Sequence, residues 1–415
     1  MGAVYRKLAI LVTALRFHPR SKLRRLALAV ALIFPSACAH AKPGDTFEPF
    51  VFCRLTMDNN LFRASSNEQT DRYQQLGAGV LLDWKQSRQE VTGKIGANKT
   101  TFSKNGVLDF SGYDLLGQWN WQLGNHTSGQ LGYSKTRSLG SFQDNSIGQT
   151  QNTVDEEKKF FNASYSLHPR WRINGSVDTD TADYSAAALK ASNHTLDHFE
   201  LSTDYLTPKG SRLSFYAGRW NGNYPNRQVS SSSIVDNSYK QDEVGIRTFL
   251  VLDGKLQISG QIGQTRRTQK ELSQRDFSGL TGRLNTNWQA TGKLQVAGSI
   301  YRNIGAVDDI SASYAISDGI RLTPSLQITP KLMLSAETYY ENRNFKGDPF
   351  PFFSPLFGPR RKDTATGASL SLTYQPDTWA LLTLSYQTGK RDTNNQTIAN
   401  DFTYQMLSFL VVLEF

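Results

Sequence analysis

The chain has 415 residues, 38% of them hydrophobic and 11% aromatic, with a mean hydropathy of -0.46. Past the N-terminus no apolar run approaches the roughly 20 residues that a membrane-crossing helix needs, and the aromatic content excludes a disordered chain. The formal net charge of +10 would suit an acidic partner, but its distribution along the chain argues otherwise.

Arg6, Lys7, Arg16, Arg20, Lys22, Arg24 and Arg25 come first, with no acid among them; the apolar stretch "LALAVALIF" follows, and "ACAHA" ends it with small residues. This is the order of a secretory signal peptide, and cleavage is expected after Ala41. Residues 1–41 are then a signal peptide and 42–415 the mature domain. Pro35, three residues before Cys38, disfavours a lipid-modified cysteine. Without the basic segment the net charge falls to about +3, which removes the case for a nucleic-acid partner. Cys53 is left alone, so neither a disulfide nor a thiolate metal cluster is available.

The first predicted strand, "PFVFCRLTMD", runs into Asp58, Asn59, Asn60, Leu61, Phe62 and Arg63. Asp and Asn suit a strand-ending turn, with Leu61 and Phe62 free to anchor the loop that follows. This opening resembles the "DDNLFR" of EpsL-like proteins from exopolysaccharide biosynthesis operons, a β-barrel porin class often encoded beside exosortase systems. Here "MDNN" stands where that family commonly has Tyr-Asp-Asp-Asn. The resemblance implies an outer-membrane role in making or exporting exopolysaccharide, with the polymer and periplasmic export components as partners. It carries over no catalytic residue.

From there to the C-terminus, stretches of about ten residues alternate apolar with polar side chains, the period of a strand with two unlike faces. Leu76, Ala78, Val80, Leu82 and Trp84 share one face of "LGAGVLLDW"; in "YDLLGQWNWQL", Tyr113, Leu115, Trp119, Trp121 and Leu123 oppose Asp114, Gln118, Asn120 and Gln122. Short turns such as "GNHT", "HPR", "LDGK" and "QPDT" alternate with long polar loops such as "QDNSIGQTQNTVDEEKK" and "FKGDPFPFFSPLFGPRRK". Trp84, Trp121, Trp171, Trp288 and Trp379 lie close to short turns, where an aromatic girdle meets lipid headgroups. The expected fold is all-β: a transmembrane antiparallel β-barrel of about 18 strands, with short periplasmic turns and longer extracellular loops. Outer-membrane lipid would surround it, because a closed barrel satisfies every backbone polar group internally.

The alternation assigns Arg54, Lys94, Arg172, Arg247, Arg283, Arg321 and Arg343 to the lumen, together with Asp83, Asp114, Asp178, Glu200, Asp204, Glu243 and Glu337. Such a balance fits a water-filled conduit and equally an ion-paired filling. In the loop "DPFPFFSPLFGPRR", Phe352, Phe353 and Phe357 with Arg360 and Arg361 suggest a lid that stacks on and ion-pairs with a polymer. "DTDTAD" lacks the glycine and closing glutamate of a calcium loop. His194 and His198 have no helix to make their spacing a metal pair. No cofactor, metal or catalytic group is expected.

The chain closes on "LSFLVVLEF". Phe409, Val411, Leu413 and Phe415 are assigned to the lipid face and read as the C-terminal signal for the barrel-assembly machinery. Met406, Leu410 and Val412 then face the lumen and call for an apolar cover, expected around Phe47 to Phe52. The expected function is a conduit or accessory channel for exopolysaccharide in the outer membrane of a Gram-negative bacterium. Alternatives are a general diffusion porin for small solutes, a barrel hydrolase, and a closed docking protein of the secretion complex.

Overall fold

The structure is a computed structural model that describes residues 46–143, 150–226, 238–271, 273–306, 312, 314–346, 359–397 and 399–415. The expected signal peptide and Phe352, Phe353 and Phe357 lie outside the described residues. The strands are β1 (Phe47–Asp58), β2 (Asp71–Gln86), β3 (Gln89–Phe102), β4 (Phe110–Leu123), β5 (Thr127–Leu139), β6 (Thr153–His168), β7 (Trp171–Tyr184), β8 (His194–Leu206) and β9 (Arg212–Asn223). They continue as β10 (Tyr239–Leu252), β11 (Leu256–Gln269), β12 (Phe277–Gln289), β13 (Leu294–Ala306), β14 (Tyr314–Thr329), β15 (Leu332–Lys346), β16 (Lys362–Asp377), β17 (Ala380–Thr393) and β18 (Phe402–Glu414). Each pairs antiparallel with its sequence neighbours, and β1 also pairs with β18, so the 18-stranded sheet closes on itself. Closure leaves no strand edge unpaired.

Connections at one rim hold two to five residues and those at the other seven to fifteen. The short ones follow turn chemistry. Between β10 and β11, Asp253 (φ 52°) and Gly254 (φ 66°) both adopt left-handed backbone, and Lys255 N–H donates to Leu252 C=O at 3.3 Å. That is a type I′ turn, whose twist matches the flanking strands.

Directly paired residues share a face, so the register carries each face around the wall. Val80 pairs with Ile95, Phe161 with Val177, and Val177 with Phe199, and all of these are exposed although apolar. This is the outward face; Trp84, Trp121, Trp171 and Trp288 share it by register, close to the short-turn rim. The other face is concave, since its side chains reach across a strand to the next but one. Tyr301 on β13 passes over Gly319 on β14 and donates to the Glu341 carboxylate on β15.

At the seam, Val51, Cys53 and Leu55 pair with Leu413, Val411 and Phe409 on the outward face. Met406, Leu410 and Val412 are inward, opposite Asp58, Arg54 and Phe52. Phe47 sits on the outward face, 61% exposed, so only Phe50 and Phe52 of that apolar run are inside. Their rings lie over Gly79 and Gly77, where a Cβ would come within 2.6 Å of Phe50 Cζ and 2.3 Å of Phe52 Cε1.

Candidate functional site

The inner wall is the surface on which chemistry could act. The register places Arg54, Lys94, Asp114, Arg172, Glu200, Asp204, Arg247, Arg283, Arg321, Glu337 and Arg343 on the inward side. Most of these charges are taken up locally. Arg247 on β10 skips β9 and grips Glu200 on β8 with two bonds of 2.5 Å. Arg172 meets Asp204 at 2.6 Å, Arg321 meets Glu337 at 3.0 Å, and Lys94 meets Asp114 at 3.6 Å. Arg343 pairs with Glu341 on its own strand. Among the described residues Arg54 and Arg283 have no ion pair, and Arg283 lies over the Tyr301 ring at 4.9 Å.

Alternation assigned Glu243 to the lumen, but the sequence marked neither its partners nor Arg267. Glu243, 7% exposed, accepts from the Tyr216 hydroxyl, from Gln261 Nε2 at 3.0 Å and from Thr265 Oγ1 at 2.9 Å. Arg267 lies over Tyr239 at 3.9 Å and donates to Gln241 Oε1. The one available signal was an inward Tyr set against a Gly in a neighbouring strand, which becomes visible only once the register is known.

His198 and Glu200 take different partners. His198 Nδ1 lies 2.9 Å from Asp178 Oδ1 and its ring stacks on Trp220 at 4.1 Å, whereas Glu200 is committed to Arg247. Lys158 lies between Asp178 and Asp180, at 3.5 and 2.8 Å, and Asp183 accepts from Asn193. Among the described residues no group of three or more His, Cys, Asp or Glu side chains could hold a metal ion.

The long-loop opening is partly covered. Asp58, Asn60 and Leu61 are buried. Asn60 Nδ2 donates to Ala64 C=O (2.8 Å) and, across the seam, to Thr403 C=O (2.9 Å), while Asn59 Oδ1 accepts from Gln405 N–H at 2.6 Å. Arg63, with φ 53°, pairs with Asp58 at 2.9 Å and lies 4.0 Å over the Tyr404 ring. Leu61 packs with Phe102 and Leu108, and Phe62 meets Phe142 edge-on at 5.1 Å. Phe142 and Gln143 follow β5, yet the Gln143 carbonyl accepts from Arg391 Nη1 on the inward face of β17. Five strands lie between β5 and β17 along the wall, so this segment crosses the opening as a strap. Arg361, expected at the edge of a lid, is 3% exposed, paired with Asp363 at 2.5 Å and 4.1 Å over the Phe345 ring; Arg360 is exposed.

Towards the short-turn rim, hydrogen-bonded amides and hydroxyls stand among the Lys85–Glu90 and Arg172–Asp204 ion pairs. Gln118 donates to Asn120 at 2.8 Å, Asn162 to Gln130 at 3.1 Å, Ser164 to Asn174 at 2.7 Å, and Asn174 to Ser202 at 3.1 Å.

No family model matches the chain and no curated protein is similar to it in sequence; the first-strand likeness to EpsL-like proteins gains no support from these comparisons. Solved structures do match. OccK2 (OpdF) from Pseudomonas aeruginosa superposes with a TM-score of 0.50 at 10% identity, covering 89% of this chain and 98% of the other. Its complex with glucuronate gives the same values. The outer membrane protein opdK of that organism gives a TM-score of 0.49 at 9% identity, over 89% of this chain and 99% of the other. At such identity the likeness to OccK2 is one of fold: the chain shares its architecture over nearly the full length of both proteins.

Proposed function

We propose that this chain is an outer-membrane porin that lets small polar solutes cross. The observation that carries the reading is the closed wall with an apolar outward face and a polar, charged inward one. Lipid outside and water inside is the arrangement in which such a wall is stable. The mixed, paired charge of the lumen offers ion pairs and hydrogen bonds at modest cost to a passing solute, without a strong field of either sign. The strap from β5 to Arg391 favours small solutes over a polymer, because a polysaccharide chain would have to displace it. The likeness of fold to OccK2, solved with glucuronate, supports the same preference.

Exopolysaccharide transit is the second reading, supported by the resemblance of Asp58 to Arg63 to the EpsL-like opening. Planar-bilayer recordings on the folded protein test the first: discrete open steps at neutral pH are expected, and a silent barrel would overturn it. A deletion strain with normal exopolysaccharide but impaired uptake of small polar solutes would decide between the two.

A further inference from the structure

Towards the short-turn rim a recess of about 350 Å³ opens on the inner wall across β10 to β14. This lies within the range of about 300–1,000 Å³ typical of small-molecule sites. Ala297, Ser259 and Ser299 leave its floor low, while Phe249 forms one side. Planar amides ring it. Asn285 Nδ2 donates to Ser259 Oγ at 3.2 Å and Asn287 Oδ1 accepts from Gln295 at 2.7 Å. Among the described residues, Asn285 Oδ1, Asn287 Nδ2 and the whole Gln257 amide keep their capacity for a ligand. Arg321, the one charged residue of the lining, pairs with Glu337 at 3.0 Å, which offsets its charge.

Fixed amides and hydroxyls that each donate and accept match a molecule whose groups are all hydroxyls. Exchanging their waters for a solute's hydroxyls desolvates no ion. An aromatic face beside them suits the C–H face of a pyranose ring. From this lining we infer that the recess is a binding subsite for a neutral saccharide. The inference deepens the porin reading and rests on it, since the solute reaches the recess through the lumen.

The test uses the full-length folded protein in a non-glycosidic detergent, with cellobiose and maltotriose as probes and a size-matched poly(ethylene glycol) as the control solute. Saturable binding is expected by calorimetry and by saturation-transfer NMR. Gln257→Ala combined with Asn287→Ala should weaken it at least tenfold, and so should Phe249→Ala. Gln130→Ala with Asn162→Ala, an amide pair on the far wall, should leave it unchanged. Three outcomes overturn the inference: no saturable binding, equal binding of the poly(ethylene glycol), or equal loss in the far-wall variant. Bilayer conductance is recorded separately. A conducting barrel that binds no saccharide removes the subsite and keeps the porin, whereas a silent barrel that binds saccharide does the reverse.

Discussion

At the scale of single residues, inward groups divide into those that fasten the wall and those left to the lumen. Asn60 belongs to the first kind. It is fully buried, and its amide ties the loop after β1 to β18 across the seam where the barrel closes. Removing it leaves the Thr403 and Ala64 carbonyls without that donor, at a cost of about 1–3 kcal/mol. Asn60→Ala should therefore lower the temperature at which the folded barrel opens, followed by gel mobility of unboiled samples; an unchanged midpoint would show that the seam does not depend on this amide. The sequence marked Asp58 to Arg63 as a strand-ending turn. It could not mark Thr403 and Gln405 as partners, because they lie more than 340 residues further on.

At the scale of elements, inward aromatic rings cover glycines of neighbouring strands. Tyr301 over Gly319, Tyr339 over Gly367 and Tyr404 over Gly389 repeat one device across β13 to β18, with a hypothetical Cβ at 2.4 to 2.5 Å from the ring. The ring fills the space left by the missing side chain, and at Tyr301 the hydroxyl continues to Glu341. Gly319→Val would push the Tyr301 ring off Glu341 and out from beneath Arg283, costing about 2 kcal/mol through overpacking and a lost hydrogen bond. Its unfolding midpoint in urea should fall, and Tyr301→Ser in the same chain should restore much of the loss by relieving the clash. A double variant no more stable than the single one would refute this account. The strap is also an element-scale feature. Arg391→Ala removes its donor to the Gln143 carbonyl, so single-channel conductance should rise; unchanged conductance would mean that the strap does not narrow the path.

At the scale of the whole molecule, closure makes the wall one cooperative ring, in which every strand has two hydrogen-bonded neighbours. Unboiled protein should accordingly migrate faster on a gel than boiled protein, and identical mobility together with solubility in the absence of detergent would contradict the architecture. Much of this ring was legible in the sequence. Alternation is a local property with a period of two, so the strands, their two faces, the short turns and the outward set of Phe409, Val411 and Leu413 could be read from neighbouring residues alone. The inward assignment of Arg247 and Glu200 followed from the same parity. Their mutual grip did not, because it depends on curvature that brings β8 and β10 together over β9. The strap from Phe142 and Gln143 to Arg391, the recess across β10 to β14 and the latch of Asn60 on β18 share that origin. Sequence by itself determined which way each side chain points, since that is fixed residue by residue along a strand. Only the tertiary structure decided what each side chain meets, since partners from distant segments come together only when the sheet closes.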